Sequence, residues 1–182
     1  MGICAPVSTA AAVANEFLSL GTLEPMFPPI DQMKLQKLLF YAHAWHLAMN
    51  GAPLFDDDFE AWPWGPVVRD IYFQTREFGR MPITTKITEL RRVGNGPLDF
   101  KFFTPQGVDA GPVKAFIRAV WDSHKQYTGV QLSNSTHAQG EPWTILHDQY
   151  GSLDHKPKIP NELIQAVFQG KMRNADTNSA PA

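Results

Sequence analysis

The segment from Asp31 to Asn50 constrains the fold more than any other part of the chain. Leu35, Leu38, Leu39, Ala42, Trp45, His46 and Met49 recur at helical spacing, and Met33, Phe40, Tyr41 and Leu47 widen the stripe far beyond one face. A helix that apolar belongs at the centre of a core, with other helices around it. Asp31 supplies an N-cap, Gly51 a stop, and Lys34, Gln36 and Lys37 read as a polar edge near its start.

The remaining pattern supplies the surrounding helices. Ser8 to Leu20 reads as a helix stopped at Gly21, followed by an extended proline-rich connector, Glu24 to Pro29. Pro66 is placed at the first position of a helix carrying Val67, Val68, Ile71, Tyr72 and Phe78 up to Gly79. Residues 80–111 are the least helical: Gly94-Asn95-Gly96-Pro97 is a turn signal and Leu98 to Phe102 alternates, so a small hairpin or flap is expected. Helices follow from Pro112 through His124, around Gly129 to His137, around Trp143 to Gln149, and from Pro160 to Gly170. The expected architecture is mainly α: a single-domain bundle of about six or seven helices over residues 1–170 with a flap in the middle. Residues 171–182, small and polar, are expected to form a disordered tail.

Composition narrows the function. The 182 residues carry 16 basic against 18 acidic side chains, with no basic run longer than Arg91-Arg92, which argues against a nucleic-acid ligand. One cysteine, Cys4, rules out an internal disulfide framework. No secretory pattern and no apolar run long enough for a membrane helix occur, so a cytoplasmic protein is expected.

Candidate chemistry is sparse. His43 and His46 sit three apart on one helix, but no third ligand is marked by spacing, and the expectation is core histidine without metal. Asp56-Asp57-Asp58-Phe59-Glu60 lacks the glycine and closing glutamate of a calcium loop and reads as a solvated, helix-capping turn. His137, beside Thr136 and near Ser133 and Ser135, has no nucleophile elbow around it, and reads as a helix end bonding loose carbonyls with Trp143 plugging the core. No catalytic residue, cofactor loop or metal site is assigned. Trp62 and Trp64, in a proline-rich stretch read as extended, are expected to point to opposite sides, one indole buried and the other free for a partner. With Lys37, Arg69 and Tyr72 they form the candidate partner-binding set, because Trp, Tyr and Arg dominate binding hot spots.

Taken together, Leu35 to Ala42 with Leu38 and Tyr41, then Trp45-His46-Leu47, Pro53-Leu54-Phe55, Phe59 to Trp62, and Gly65-Pro66-Val67-Val68 with Tyr72 resemble the Panacea antitoxin domain. Leu132-Ser133, Thr136-His137 and Pro142-Trp143 resemble its second motif block, so the likeness spans Phe17 to Phe168. The resemblance implies a helical antitoxin that neutralises a protein toxin encoded beside it. Its SocA-like branch implies delivery of that toxin to the ClpXP protease. Two other readings stay open: a small metal- or histidine-dependent hydrolase, and a DNA-binding autoregulator. No oligomeric state is readable.

Overall fold

In the computed structural model, which describes residues 6–178, the helix from Gln32 to Asn50 (α2) runs through the middle of the molecule. Asp31 caps it by accepting the Lys34 N–H at 2.7 Å, and Gly51 ends it in the left-handed region. Around it pack α1 (Ala10–Leu23), α4 (Pro112–His124), α5 (Gly129–Thr136) and α7 (Asn161–Asn178). The short helices α3 (Arg69–Thr75) and α6 (Pro142–Tyr150) complete the set. Leu35, Leu38, Leu39, Phe40 and Ala42 are fully enclosed, and Phe40 meets Phe59 and Phe168 edge-on at 5.3 and 5.9 Å.

Two small sheets interrupt the helices. β1 (Phe59–Trp62) pairs antiparallel with β2 (Gly65–Val68) on one side and with β5 (Lys158–Ile159) on the other, in the order β2-β1-β5. The expected flap is there as β3 (Glu89–Arg92) paired with β4 (Phe100–Phe103).

Several boundaries differ from the sequence reading, each for a tertiary reason. α1 continues through Gly21, where a Cβ would come within 2.8 Å of Ile30 Cδ1: this glycine allows close packing instead of stopping the helix. Pro66 lies in strand β2, opposite Ala61, and the helix begins three residues later at Arg69. The acidic run does reach a helix end, Asp57 bonding the backbone of Ala10 at the start of α1, but it leads directly into β1, with Asp58 paired to Lys158. Lys34, Gln36 and Lys37 are no polar edge, being 0%, 2% and 1% exposed. Finally, α7 passes Gly170 and runs to Asn178, so residues 171–178 are helical where a disordered tail was expected. Lys171, half-buried, pairs with Glu141 there and gives the last turns something to hold. Residues 179–182 of that tail, and Cys4, lie outside the described residues.

Candidate protein-binding site at the tryptophan turn

The buried polar residues of α2 explain the strand beside them. In the antiparallel pair, Pro66 and Val68 sit where their backbone groups face away from β1, because the opposing Ala61 sends its N–H to Pro157 O, 2.8 Å away on the far side. That open edge is closed by side chains. Gln36 accepts the Val68 N–H at 2.8 Å and donates to Val68 O at 3.2 Å, and Lys37 Nζ donates to Pro66 O at 3.1 Å. Proline is tolerated at this edge because the ladder asks for no donor there.

The turn joining the two strands is gripped the same way from α5 and α6. Trp143 Nε1 donates to Trp62 O at 2.7 Å, and Ser133 Oγ donates to Trp64 O at 2.8 Å. His137 is fixed with Nδ1 2.6 Å from Ser133 O and Nε2 3.2 Å from Pro63 O, and Thr136 Oγ1 donates to Ser133 O at 2.7 Å. Four carbonyls of the span from Trp62 to Pro66 are thus held by four different side chains. Gly65 closes the turn at φ +100°, and a Cβ there would sit 2.6 Å from Thr136 Oγ1 and 2.7 Å from Lys37 Nζ. Only glycine satisfies both the backbone and the space.

This grip fixes the indoles. Trp62 is half-buried: its Nε1 donates to Glu60 at 2.7 Å, its ring lies 4.5 Å from Tyr72, and the Lys156 ammonium covers it at 3.9 Å. Trp64 is 70% exposed. Their different fates come from the turn, not from an extended chain as expected; strand alternation would put residues two apart on one face. Arg69 pairs with Glu60 at 3.7 Å and leans, like Arg76, over the half-exposed Phe73.

The expected partner-binding residues therefore divide. Trp62, Arg69 and Tyr72 gather beside the turn, Trp64 projects from it, and Lys37 lies beneath it, too buried to touch a partner. Gly65, Pro66, Thr136, His137 and Trp143 are the scaffold that holds the turn. Leu38, Tyr41 and Trp45 face the core elsewhere: Tyr41 stacks on His124 at 4.6 Å and Trp45 meets Phe168 edge-on at 4.9 Å. Pro142 is buried at the start of α6. Lys156 and Gln36 were absent from the candidate set because their partners, Trp62 and Val68, lie far away along the chain; Glu60, which bonds Trp62 two residues on, was absent because no local pattern marked it.

Electrostatically the scaffold is unusual. Burial, with no carboxylate to offset it, pushes the Lys37 ammonium down to about 7. Lys34, bonded to Pro28 O and Lys125 O, is pushed down to about 8 by burial, which outweighs the opposing pull of the Asp31 carboxylate. His43, wedged between Phe55 and Phe59 and bonded to Asn161, is held near 4 by burial. His46 is bonded to Ala52 O at 2.8 Å. Among the described residues no three His, Cys, Asp or Glu side chains converge as a metal would require, and no helix is long and apolar enough to cross a membrane.

The described residues thus form a buried polar scaffold that carries an exposed aromatic turn, and the comparisons with known proteins give the chain its family. The family described as Antitoxin SocA-like, Panacea domain, matches residues 35–144, and the chain belongs to it. Antitoxin SocA of Caulobacter vibrioides (strain NA1000 / CB15N) is 30% identical over 167 residues, covering 88% of this chain and 82% of that protein. No solved structure matches.

Proposed function

We propose that this protein is the antitoxin of a toxin–antitoxin pair, binding and neutralising a protein toxin encoded beside it and presenting that toxin to the ClpXP protease. The observation that carries the reading is the Trp64 turn. An exposed indole held by side chains from three helices is organised before binding, so little conformational entropy is lost when a partner covers it. Around it, Trp62, Arg69 and Tyr72 supply the aromatic and guanidinium surface that dominates protein interfaces. Membership of the SocA-like family supports the antitoxin role, and the name of the Caulobacter relative agrees with it.

The test is co-expression with the adjacent open reading frame. That neighbour is expected to arrest growth alone, to be tolerated in the presence of this protein, and to co-purify with it. Trp64→Ala is expected to lose rescue while remaining folded. A harmless neighbour that does not co-purify rules the reading out.

A further inference from the structure

The β3–β4 ribbon has a composition that folding alone does not explain. Val93 N–H donates to Asp99 O at 2.8 Å, and the register pairs Arg92 with Phe100 and Leu90 with Phe102. Bonded and non-bonded pairs alternate in an antiparallel ladder, so the backbone groups of Leu90 and Arg92 point outward from the β3 edge and those of Phe102 from the β4 edge, where the Phe100 N–H is already taken by Leu98 O at 2.8 Å. The same four residues share one face. That face is open: Leu90 is 55%, Phe100 44% and Phe102 77% exposed, and among the described residues no third strand pairs with either edge. On the opposite face Arg91 pairs with Glu89 and leans over Phe103, so the ribbon's carboxylate at Glu89 is already engaged. Asp99 is engaged within the turn by the Gly96 N–H. Arg92, over Phe100 at 5.5 Å, and Lys101 remain as cations with no ion pair among the described residues.

From this juxtaposition of open edges, an apolar face and unpaired cations we infer that the β3–β4 ribbon is a second docking surface, taking an extended, acidic segment of a partner polypeptide as an added strand. Backbone pairing along the β4 edge supplies affinity, Phe100 and Phe102 meet the apolar side chains on one face of the added strand, Lys101 meets the alternate carboxylates on the other, and Arg92 adds to the local positive charge. Charge decides against a second copy of this chain: joining two ribbons edge to edge brings both pairs of cations onto one sheet and adds no free carboxylate. The inference rests on the ribbon and stands apart from the identity of the toxin.

The test uses the full chain and a fluorescein-labelled octapeptide alternating Glu with Val, with a Lys–Val peptide for comparison. Saturable binding of the acidic peptide at low ionic strength is expected, weakening with added salt, with protection of the Phe102 amide, on the β4 edge, from hydrogen exchange. Phe102→Glu and the double change Arg92→Glu/Lys101→Glu are each expected to weaken it by about tenfold or more, with an unchanged thermal midpoint because these side chains are exposed. Equal binding of both peptides, no binding of the acidic one, or wild-type affinity in Phe102→Glu overturns the inference. A dimer that Phe102→Glu dissolves assigns the face to a second copy and overturns it as well.

Discussion

Gly65 and Lys37 touch the same few cubic ångströms, and each makes a separate prediction. Gly65→Ala forces a left-handed backbone onto a side chain that collides with Thr136 and Lys37. It is expected to cost about 1–3 kcal/mol, read by urea denaturation, and to loosen the turn. Lys37 is linked to pH. Its native affinity for a proton is lowered to about 7 from an ordinary 10.5, so between those values the unfolded chain binds more protons than the folded one. Stability therefore rises with pH across that window, and the penalty is complete below about 7. Lys34 adds the same sign from about 8 upward. Denaturation midpoints measured from neutral to alkaline pH are expected to climb in the wild type and to climb less in Lys37→Met. An identical slope in the variant would show that the ammonium is not desolvated. Trp64 predicts the converse behaviour: Trp64→Ala is expected to weaken toxin binding by about 2 kcal/mol or more and leave the thermal midpoint in place.

Elements in this molecule hold one another through polar side chains as much as through apolar ones. α2 presents Gln36 and Lys37 to an open strand edge, α5 presents Ser133 and His137 to a turn, and α6 presents Trp143 to the same turn. Each bond joins segments far apart along the chain. Trp143→Phe keeps the apolar bulk and removes the donor to Trp62 O; it is expected to cost about 1 kcal/mol and to speed amide exchange across residues 62–66 more than across α2. Uniform exchange in that variant would mean that the turn is held by packing alone. This dependence also explains the misplaced strand. Pro66 followed by Val67 and Val68 looks like a helix start when read locally, because the acceptor that makes it an edge strand, β1, and the side chains that close that edge are invisible to a local pattern. The flap was legible because its turn residues and alternation are contiguous.

At the scale of the whole molecule, α2 is the common wall of the core and of the site. Phe40→Ala, which opens a void beneath Phe59 and Phe168, is expected to destabilise by about 3–5 kcal/mol and to abolish toxin rescue through loss of folded protein. Truncation before Lys171 removes the partner of Glu141, a residue only 8% exposed. The truncated chain is expected to have a lower thermal midpoint by differential scanning calorimetry, where a true tail would leave it unchanged. Two exposed faces, the Trp64 turn and the β3–β4 ribbon, fit a protein that engages more than one polypeptide. Toxin half-life in cells with and without ClpXP separates delivery from simple blocking: delivery shortens it only where the protease is present.

Local sequence determined the existence of most helices, the cap at Asp31, the apolar character of α2 and the flap, since periodicity and capping act within a few residues. Tertiary structure alone decided that Lys34, Gln36 and Lys37 turn inward, that Pro66 lies in a strand, that α7 outlasts Gly170, and that Trp64 projects while Trp62 is covered. A buried polar group goes wherever its hydrogen-bond partner is, and for these residues that partner is supplied by another part of the fold.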